Sequence, residues 1–204
     1  MEKSGSYSPT QAGFRSGRST EDPLVDLDHQ IRSTLVNRKV TIAVFFYLKS
    51  AFDTINHNQI LYKLTKAGVQ GNMLSWIEEF LNNRTYQVLV GNSKSDHKQV
   101  QRGVPQGSCL SPTLFNIIMS DIPHTNMAFI REYADDIAIL ITANSLEEAL
   151  TNVQLAITEL ETWANNWCLN FNSNKTKSLC FTKKRLGAKF QDPKKTTKIE
   201  SRKH

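Results

Sequence analysis

Two adjacent carboxylates, Asp135 and Asp136, are the residues of this chain best suited to carry chemistry. They stand between two short apolar runs, residues 129–133 and 137–141, which predict the strands of a hairpin with a tight turn. Two unit charges about 4 Å apart repel each other by about 4 kcal/mol at an effective dielectric constant of about 20. A divalent cation removes this penalty, and Mg²⁺ binds through carboxylates together with substrate phosphates. The pair indicates a metal site, and an ordinary Asp-containing turn is the alternative.

Two glycine-rich loops could bring further groups to phosphates. Residues 11–20 hold two glycines and two arginines, Arg15 and Arg18, around one aromatic side chain. The backbone N–H groups and guanidinium forks of such a loop can bind phosphates, although a solvated basic loop is the simpler interpretation. Residues 102–112 form the other loop, with two glycines and two prolines but little charge. Glycines at such a position let a backbone or a ligand approach closely.

The surrounding pattern predicts the elements that position these groups. Residues 40–48 are almost all β-branched or aromatic, which is typical of a central strand. A capping box opens an amphipathic helix over residues 145–163, and a buried helix over residues 112–122 begins with Ser111 as its predicted N-cap and Pro112 in its first position. We therefore expect an α+β fold in which strand 40–48 and the hairpin share one sheet, backed by these two helices.

The composition narrows the class of protein. The chain is 39% hydrophobic and carries a formal net charge of +6, which favours a polyanionic partner. Since it contains no run of eighteen apolar residues, we expect no transmembrane helix and no membrane partner. The N-terminus lacks the apolar segment of a secretory signal. The three cysteines form no CxxC pair, so we expect reduced thiols in an intracellular protein, nuclear or cytoplasmic.

Three regions follow from the distribution of polar residues. Residues 1–10 are polar and contain Gly, Ser and Pro, so we expect a flexible lead-in. Residues 11–182 carry the alternating apolar patterns of one folded domain. From Lys183 the composition becomes rich in lysine, and we expect residues 183–204 to form a disordered basic tail. The oligomeric state is not indicated by any pattern.

Five motifs in succession resemble the reverse transcriptase domain of non-LTR, LINE-type and jockey-like, retrotransposons. They are Gln11–Thr20 (fingers motif), Val44–His57 (first palm strand and turn), Arg102–Asn116 (template and nucleotide positioning), Tyr133–Asp136 (signature hairpin) and Asn172–Thr176 (following palm motif). The resemblance implies a right-hand polymerase palm, an antiparallel sheet backed by helices, with part of the fingers and no complete thumb. We expect the chain to be a fragment of such an element.

The resemblance implies synthesis of DNA on an RNA template by two-metal catalysis with Mg²⁺ or Mn²⁺. Asp135 and Asp136 match the catalytic metal ligands of the family. The partners implied are an RNA template, a DNA primer and deoxynucleoside triphosphates. Contacts to nucleic acid would come from three arginines: Arg15, Arg18 and Arg102.

Four further residues match the nucleotide-binding positions of the family. Phe52 resembles the aromatic residue that lies under the incoming sugar and rejects a 2′-hydroxyl group. Gln106 and Gly107 would contact the nascent base pair, and Lys175 would lie near the leaving phosphate. For Gln106 a hydrogen bond within its own loop is the alternative, and Lys175 or Arg18 could simply be solvated.

The first palm motif departs from the family at one position. Where the pattern has a catalytic Asp, this chain has Tyr47, a neutral phenol at pH 7 and a poor ligand for Mg²⁺. Asp53 lies six residues further on, and we expect it to serve as a cap or turn residue. Two hypotheses follow: a polymerase domain, or a catalytically inactive nucleic-acid-binding remnant of the same fold. An RNA-dependent RNA polymerase is a third, disfavoured by Phe52 and the Gln11–Thr20 motif.

Overall fold

The computed structural model describes residues 5–125 and 127–184, which form two compact units. The first unit contains residues 5–8, 50–121 and 167–169, and the second contains residues 9–49, 122–125, 127–166 and 170–184. In chain order the helices and strands are α1 (Glu21–Val36), β1 (Val40–Tyr47), α2 (Ala51–Thr54), α3 (His57–Lys66), α4 (Asn72–Leu81), β2 (Thr85–Tyr86), β3 (Leu89–Val90), β4 (Ser93–Lys94), β5 (Lys98–Gln99), α5 (Ser111–Ile118), a 3₁₀ helix (Met119–Asp121), β6 (Ala128–Tyr133), β7 (Asp136–Ala143), α6 (Leu146–Asn166) and β8 (Lys177–Thr182).

The second unit is built on a four-stranded antiparallel sheet in the order β6-β7-β1-β8. The run of β-branched and aromatic residues predicted to be a central strand is β1, which pairs with β7 on one side and β8 on the other. Side chains on both of its faces are buried, from Ile42 and Val44 to Thr41 and Ala43. A strand covered on both faces needs apolar residues at nearly every position, and this is the pattern of residues 40–48.

Two helices pack on this sheet. The amphipathic helix predicted over residues 145–163 is α6, which packs on β1 and β7. Its predicted start is confirmed, because the Glu148 N–H group donates to Ser145 Oγ at 3.2 Å and Glu148 Oε2 accepts from the Asn144 N–H group at 3.1 Å. Helix α1 packs on β1, β6 and β8, and Arg131 of β6 forms an ion pair with Asp26 of α1 at 2.6 Å.

One end of the β1–β7 pair is closed by a cluster of three hydroxyl groups. Thr41 and Thr142 are opposite each other in the register, and their hydroxyl oxygens lie 2.5 Å apart. The Thr34 hydroxyl of α1 lies 2.6 Å from that of Thr41 and also donates to the Gln30 carbonyl. Side chains alternate along a strand, so Tyr47 and Asp136 at the other end share the face of Thr41 and Thr142.

The first unit is mainly helical, with α3 packed on α4 and α5. Its Lys63 is buried, donates to the carboxylate of Asp121 and the carbonyl of Ile118, and lies 3.8 Å from the ring centroid of Trp167. Burial lowers the pKa of Lys63 to about 8, although the hydrogen bond to Asp121 opposes this shift. The four short strands β2–β5 form two exposed two-stranded pairs.

Three predictions need revision or lie partly outside the described residues. The buried helix predicted over residues 112–122 ends at Ile118 and continues as the 3₁₀ helix; it belongs to the first unit, whereas the sheet belongs to the second. Ser111 was expected to cap this helix, but its hydroxyl donates to the Pro105 carbonyl and Leu110 takes the cap position. Of the predicted basic tail, only Lys183 and Lys184 lie within the described residues.

The predicted lead-in, residues 1–10, is described only from Gly5 onwards, and there Ser8 is buried and Thr10 bonds to β6. The three cysteines are free thiols. Among the helices that the structure describes, none is both long enough and apolar enough to span a bilayer.

Candidate active site at the Asp-Asp hairpin

The predicted hairpin is present, with a turn of two residues. Tyr133 ends β6 and pairs with Asp136, the first residue of β7, so the turn consists of Ala134 and Asp135 alone. The sequence predicts that Asp136 lies in the turn, but it is the first residue of β7 and pairs with Tyr133. Ala134 adopts a left-handed conformation with φ of +54°, which is uncommon for a residue other than glycine. The two carboxylates therefore differ, one in the turn and one on the first strand position.

Asp136 lies between two tyrosines in the register of the sheet. Tyr133 of β6 is its partner on one side, and Tyr47 of β1 is its partner on the other. Tyr47 and the Asp-Asp pair therefore come from adjacent strands, as the order of the motifs predicts. Residues directly opposite each other on antiparallel strands have Cβ atoms about 5 Å apart. A side chain at position 47 is thus within reach of the carboxylates.

The two carboxylates repel each other, and one ammonium group lies near enough to oppose part of that repulsion. Partial burial raises the pKa of Asp136, the negative charge of Asp135 raises it further, and the ammonium group of Lys175 lowers it. Asp136 also lines a cavity of about 420 Å³ between α1 and the sheet, together with Leu24, Leu27 and Phe45. A bound cation would reduce the repulsion between the two deprotonated carboxylates.

Lys175 lies against Tyr47. Its Nζ atom is 4.0 Å from the centroid of the Tyr47 ring, within the range of a cation–π contact. The turn that carries Lys175 is attached to the end of β1, because the Asn172 N–H group donates to the Tyr47 carbonyl at 2.8 Å and the Lys175 N–H group donates to the Asn172 carbonyl at 3.1 Å. The predicted site residue Lys175 thus lies near the carboxylates. It also covers the ring of Tyr47, the residue that replaces the catalytic Asp of the family pattern.

The residues fit a divalent metal only in part. Asp135 and Asp136 supply the oxygen donors that Mg²⁺ prefers, and Mg²⁺ completes its shell with water and substrate phosphates. Tyr47 adds no carboxylate. Across residues 5–125 and 127–184, no group of three or more His, Cys, Asp or Glu side chains is arranged to hold a metal ion. The chain therefore offers a two-carboxylate site rather than a three-carboxylate site.

The fingers motif makes a contact with the Asp-Asp turn that no local pattern predicts. Gln11 is buried, and its carboxamide bonds to the backbone of Ala134 in the Asp-Asp turn. The arginines of the same motif lie further along, with Arg15 half-buried and Arg18 exposed. The signal available in the sequence was a neutral Gln at the start of an otherwise basic loop, but its partner lies 123 residues away.

The remaining predicted site residues belong to the first unit. The Phe52 ring stacks on Phe115, with centroids 4.6 Å apart and planes at 16°. Gln106 Nε2 donates to Asp53 Oδ1 of α2 at 2.8 Å, so this partner lies outside the loop of Gln106. Gly107 and Arg102 are exposed.

Loop 102–110 is held against α2 by its backbone. The Gly103 N–H group donates to the Ile55 carbonyl at 2.7 Å, and the Val104 N–H group donates to the Phe52 carbonyl at 2.8 Å. A Cβ atom at position 103 would lie 2.7 Å from the backbone of Asp53, so only glycine fits there. The loop glycines were predicted to allow the close approach of a backbone or a ligand. At Gly103 the group that approaches is the backbone of α2.

Comparisons with known proteins agree with this arrangement. A family model described as reverse transcriptase (RNA-dependent DNA polymerase) matches residues 2–200. The probable RNA-directed DNA polymerase from transposon BS of Drosophila melanogaster is 35% identical over 187 residues, which are 86% of this chain and 20% of that protein. The RNA-directed DNA polymerase from the mobile element jockey of the same organism is 32% identical over 179 residues, or 84% of this chain and 19% of that protein. The chain thus spans about a fifth of the length of these curated relatives.

Solved structures show the same fold at low identity. An apo telomerase from Candida tropicalis, truncated from its C-terminal domain, superimposes with a TM-score of 0.61 at 17% identity, covering 84% of this chain and 36% of that one. A telomerase from Candida albicans gives a TM-score of 0.62 at 13% identity, covering 87% of this chain and 32% of that one. The expected polymerase palm with part of the fingers is confirmed. With its motifs in order, its Asp-Asp hairpin and a match over nearly its whole length, the chain belongs to the reverse transcriptase family and is similar to the domains of jockey-like non-LTR retrotransposons.

Proposed function

We propose that this chain is the palm of an RNA-directed DNA polymerase in which Asp135 and Asp136 hold Mg²⁺ or Mn²⁺. The observation that carries the proposal is the pairing of Tyr47 with Asp136, because it joins the end of β1 to the Asp-Asp turn. The bound ions would supply activation of the primer hydroxyl and neutralisation of the triphosphate charge. The chain's own part is to hold the two carboxylates in a fixed direction and to bind the substrates.

The substrates proposed are an RNA template, a DNA primer and deoxynucleoside triphosphates. Lys175 is exposed and close enough to Asp136 to lower its pKa, which suits a contact to the leaving phosphate. Phe52 would exclude a 2′-hydroxyl group, since its ring is fixed by stacking on Phe115. Gln106 and Gly107 would contact the nascent base pair. The template and primer phosphates would be bound by three arginines: Arg15, Arg18 and Arg102.

A second candidate function is binding of nucleic acid without synthesis. It is favoured by Tyr47, which offers no carboxylate and carries the ammonium group of Lys175 over its ring. Losing one metal ligand should forfeit several kcal/mol of transition-state stabilisation, and each 1.36 kcal/mol is about tenfold in rate. We therefore expect extension by this chain to be about 10³-fold slower than by a relative with Asp at this position.

Primer extension on an RNA template, with Mg²⁺ or Mn²⁺, tests the proposal. The chain is compared with an Asp135→Asn/Asp136→Asn variant, both fused to the thumb region of a related element so that the primer is gripped. Slow extension that disappears in the variant, with template–primer affinity retained, supports the polymerase. Equal template–primer affinity without extension in either protein supports the binding function. If neither protein binds the hybrid at low salt, both functions are wrong.

The basic charge predicts how binding depends on salt. Residues 183–204 contain nine Lys and Arg against two Asp and Glu. Each phosphate contact releases a counterion, so the slope of log affinity against log salt concentration should become shallower when this tail is deleted. Affinity of a fluorescent RNA–DNA hybrid, measured over a salt series for the full and shortened chains, gives this slope. An unchanged slope would remove the tail from the binding surface.

A further inference from the structure

The buried carboxamide of Gln11 makes three hydrogen bonds to the backbone around the Asp-Asp turn. Gln11 has no exposed surface. Its Oε1 atom accepts from the Ala134 N–H group at 2.9 Å and from the Gly13 N–H group at 2.7 Å. Its Nε2 group donates to the Ala134 carbonyl at 3.1 Å. One side chain thus satisfies both the donor and the acceptor of the residue that precedes Asp135.

Ala134 is the residue of the hairpin that most needs such support. It is buried, and its φ of +54° lies in the left-handed region, where a Cβ atom makes the conformation unfavourable. A strained conformation persists only when its surroundings hold it in place. Because Ala134 immediately precedes Asp135 and Asp136, a change in its backbone angles redirects both carboxylates.

The segment that carries Gln11 is itself attached to β6. The Ala12 N–H group donates to the Glu132 carbonyl at 2.9 Å, and the Glu132 N–H group donates to the Thr10 carbonyl at 3.1 Å. These bonds form a short parallel bridge between Gln11 and Glu132. A Cβ atom at Gly13 would lie 2.3 Å from the Ala134 nitrogen, so the chain approaches the turn more closely than any residue with a side chain permits.

We propose that Gln11 is the positioning residue of the Asp135–Asp136 pair. It touches no substrate and acts through the backbone of Ala134, whose left-handed conformation it fixes. The Gln11–Gly13 segment of the fingers motif therefore serves the metal-binding hairpin, in addition to any role of the following arginines. The inference rests on the proposed function only for what the carboxylates bind, and the geometry of the clamp stands without it.

Matched substitutions separate hydrogen bonding from packing. Gln11→Met keeps the length and volume of the side chain but removes all three hydrogen bonds. Gln11→Glu keeps the acceptor for Ala134 and Gly13 but loses the donor to the Ala134 carbonyl. Gln154→Met is the control, because Gln154 is an exposed residue of α6 in the same unit.

Backbone amide hydrogen exchange on the full chain, followed by NMR, measures the clamp without any metal. We expect Gln11→Met to speed exchange of the Ala134 amide about tenfold or more beyond any change at Ile139 in the middle of β7, which reports on unfolding of the sheet. Gln11→Glu should preserve more of this protection, and Gln154→Met should change neither amide. Equal changes at Ala134 and Ile139 in both Gln11 variants would overturn the proposal, since they would mean a general loss of stability.

Paramagnetic broadening by Mn²⁺ at Asp135 and Asp136 then tests the consequence for the site. The Mn²⁺ affinity should fall at least about threefold in Gln11→Met and remain unchanged in Gln154→Met. Should Gln11→Met fail to fold, the same two measurements on Gln11→Glu decide. Loss of Ala134 protection in a chain that binds no Mn²⁺ upholds the clamp and counts against the proposed function. Unchanged Mn²⁺ affinity after loss of protection would overturn the positioning role.

Discussion

The two ends of the β1–β7 pair carry polar groups of different kinds. The closed end is the one with Thr41 and Thr142, and the open end is the one with Tyr47 and Asp136. At the closed end, the hydroxyl groups of Thr34, Thr41 and Thr142 bond to one another and none carries a charge. At the open end, Asp136 is paired with Tyr47, next to a second carboxylate, and its pKa is raised. At the closed end neutral hydroxyl groups bond to one another, with Thr34 and Thr41 buried and Thr142 exposed, whereas the open end holds two carboxylates of like charge.

The two ends are expected to contribute to the free energy of unfolding with opposite sign. Buried polar groups are favourable only when they are satisfied, which the hydroxyl groups of Thr34 and Thr41 achieve within the second unit. Two like charges side by side are unfavourable until a cation or a phosphate-bound metal arrives. The open end therefore has the properties of a binding site, and substitutions at the two ends should affect different measurements.

The largest effect is expected from Tyr47→Asp at the open end. A third carboxylate should raise Mn²⁺ affinity at least about tenfold and, in the protein fused to a thumb region, speed primer extension about 10³-fold. The reason is that position 47 lies opposite Asp136 in the register. Thermal melting with increasing Mg²⁺ and single-turnover extension measure the two effects.

Tyr133→Asp is the matched control for this change. Tyr133 flanks Asp136 on the other side, in β6, so it places the same new carboxylate beside the same Asp. Only the substitution in β1 should increase extension. If the unmodified chain extends a primer as fast as its Tyr47→Asp variant, position 47 does not belong to the metal site.

An intermediate effect is expected from Thr41→Val at the closed end. Valine has the shape of threonine but leaves the hydroxyl groups of Thr34 and Thr142 without their shared partner. The free energy of unfolding should fall by about 1 to 3 kcal/mol, measured by urea denaturation, with Mn²⁺ affinity unchanged. Thr158→Val on the exposed face of α6 should change stability by less than about 0.5 kcal/mol. A large fall in Mn²⁺ affinity in Thr41→Val would show that the two ends are coupled.

The smallest effect is expected from Asp136→Asn, and it should be stabilising. Without metal, this substitution removes the repulsion from Asp135, which should raise the free energy of unfolding by a few tenths to about 1 kcal/mol. Because the folded pKa of Asp136 is raised, its contribution to stability is fully present below the ordinary Asp pKa of about 4 and is lost as pH rises through the raised value. Melting temperatures of both proteins over a pH series should therefore diverge toward neutral pH. A variant less stable than the parent at pH 7 would contradict a repulsive open end.

The amino-acid sequence by itself determined the class of this protein. The β-branched run at residues 40–48, the alternation around Asp135 and Asp136, and the capping box at Ser145 are local patterns, and each corresponds to an element of the structure. Motif order identified the family, and the departure at Tyr47 was visible because it interrupts a continuous motif. Local patterns suffice where a residue's role depends on its neighbours in the chain.

Only the tertiary structure determined the contacts between residues that are far apart in the chain. The register that places Asp136 between Tyr47 and Tyr133, the ammonium group of Lys175 over the Tyr47 ring, and the carboxamide of Gln11 at Ala134 each join residues far apart in the chain. Periodicity predicts which face of a strand is buried, but it contains no information on which strand lies beside it or which side chain fills a turn. The contacts of Lys175 with Tyr47 and of Gln11 with Ala134 are therefore visible only in the tertiary structure.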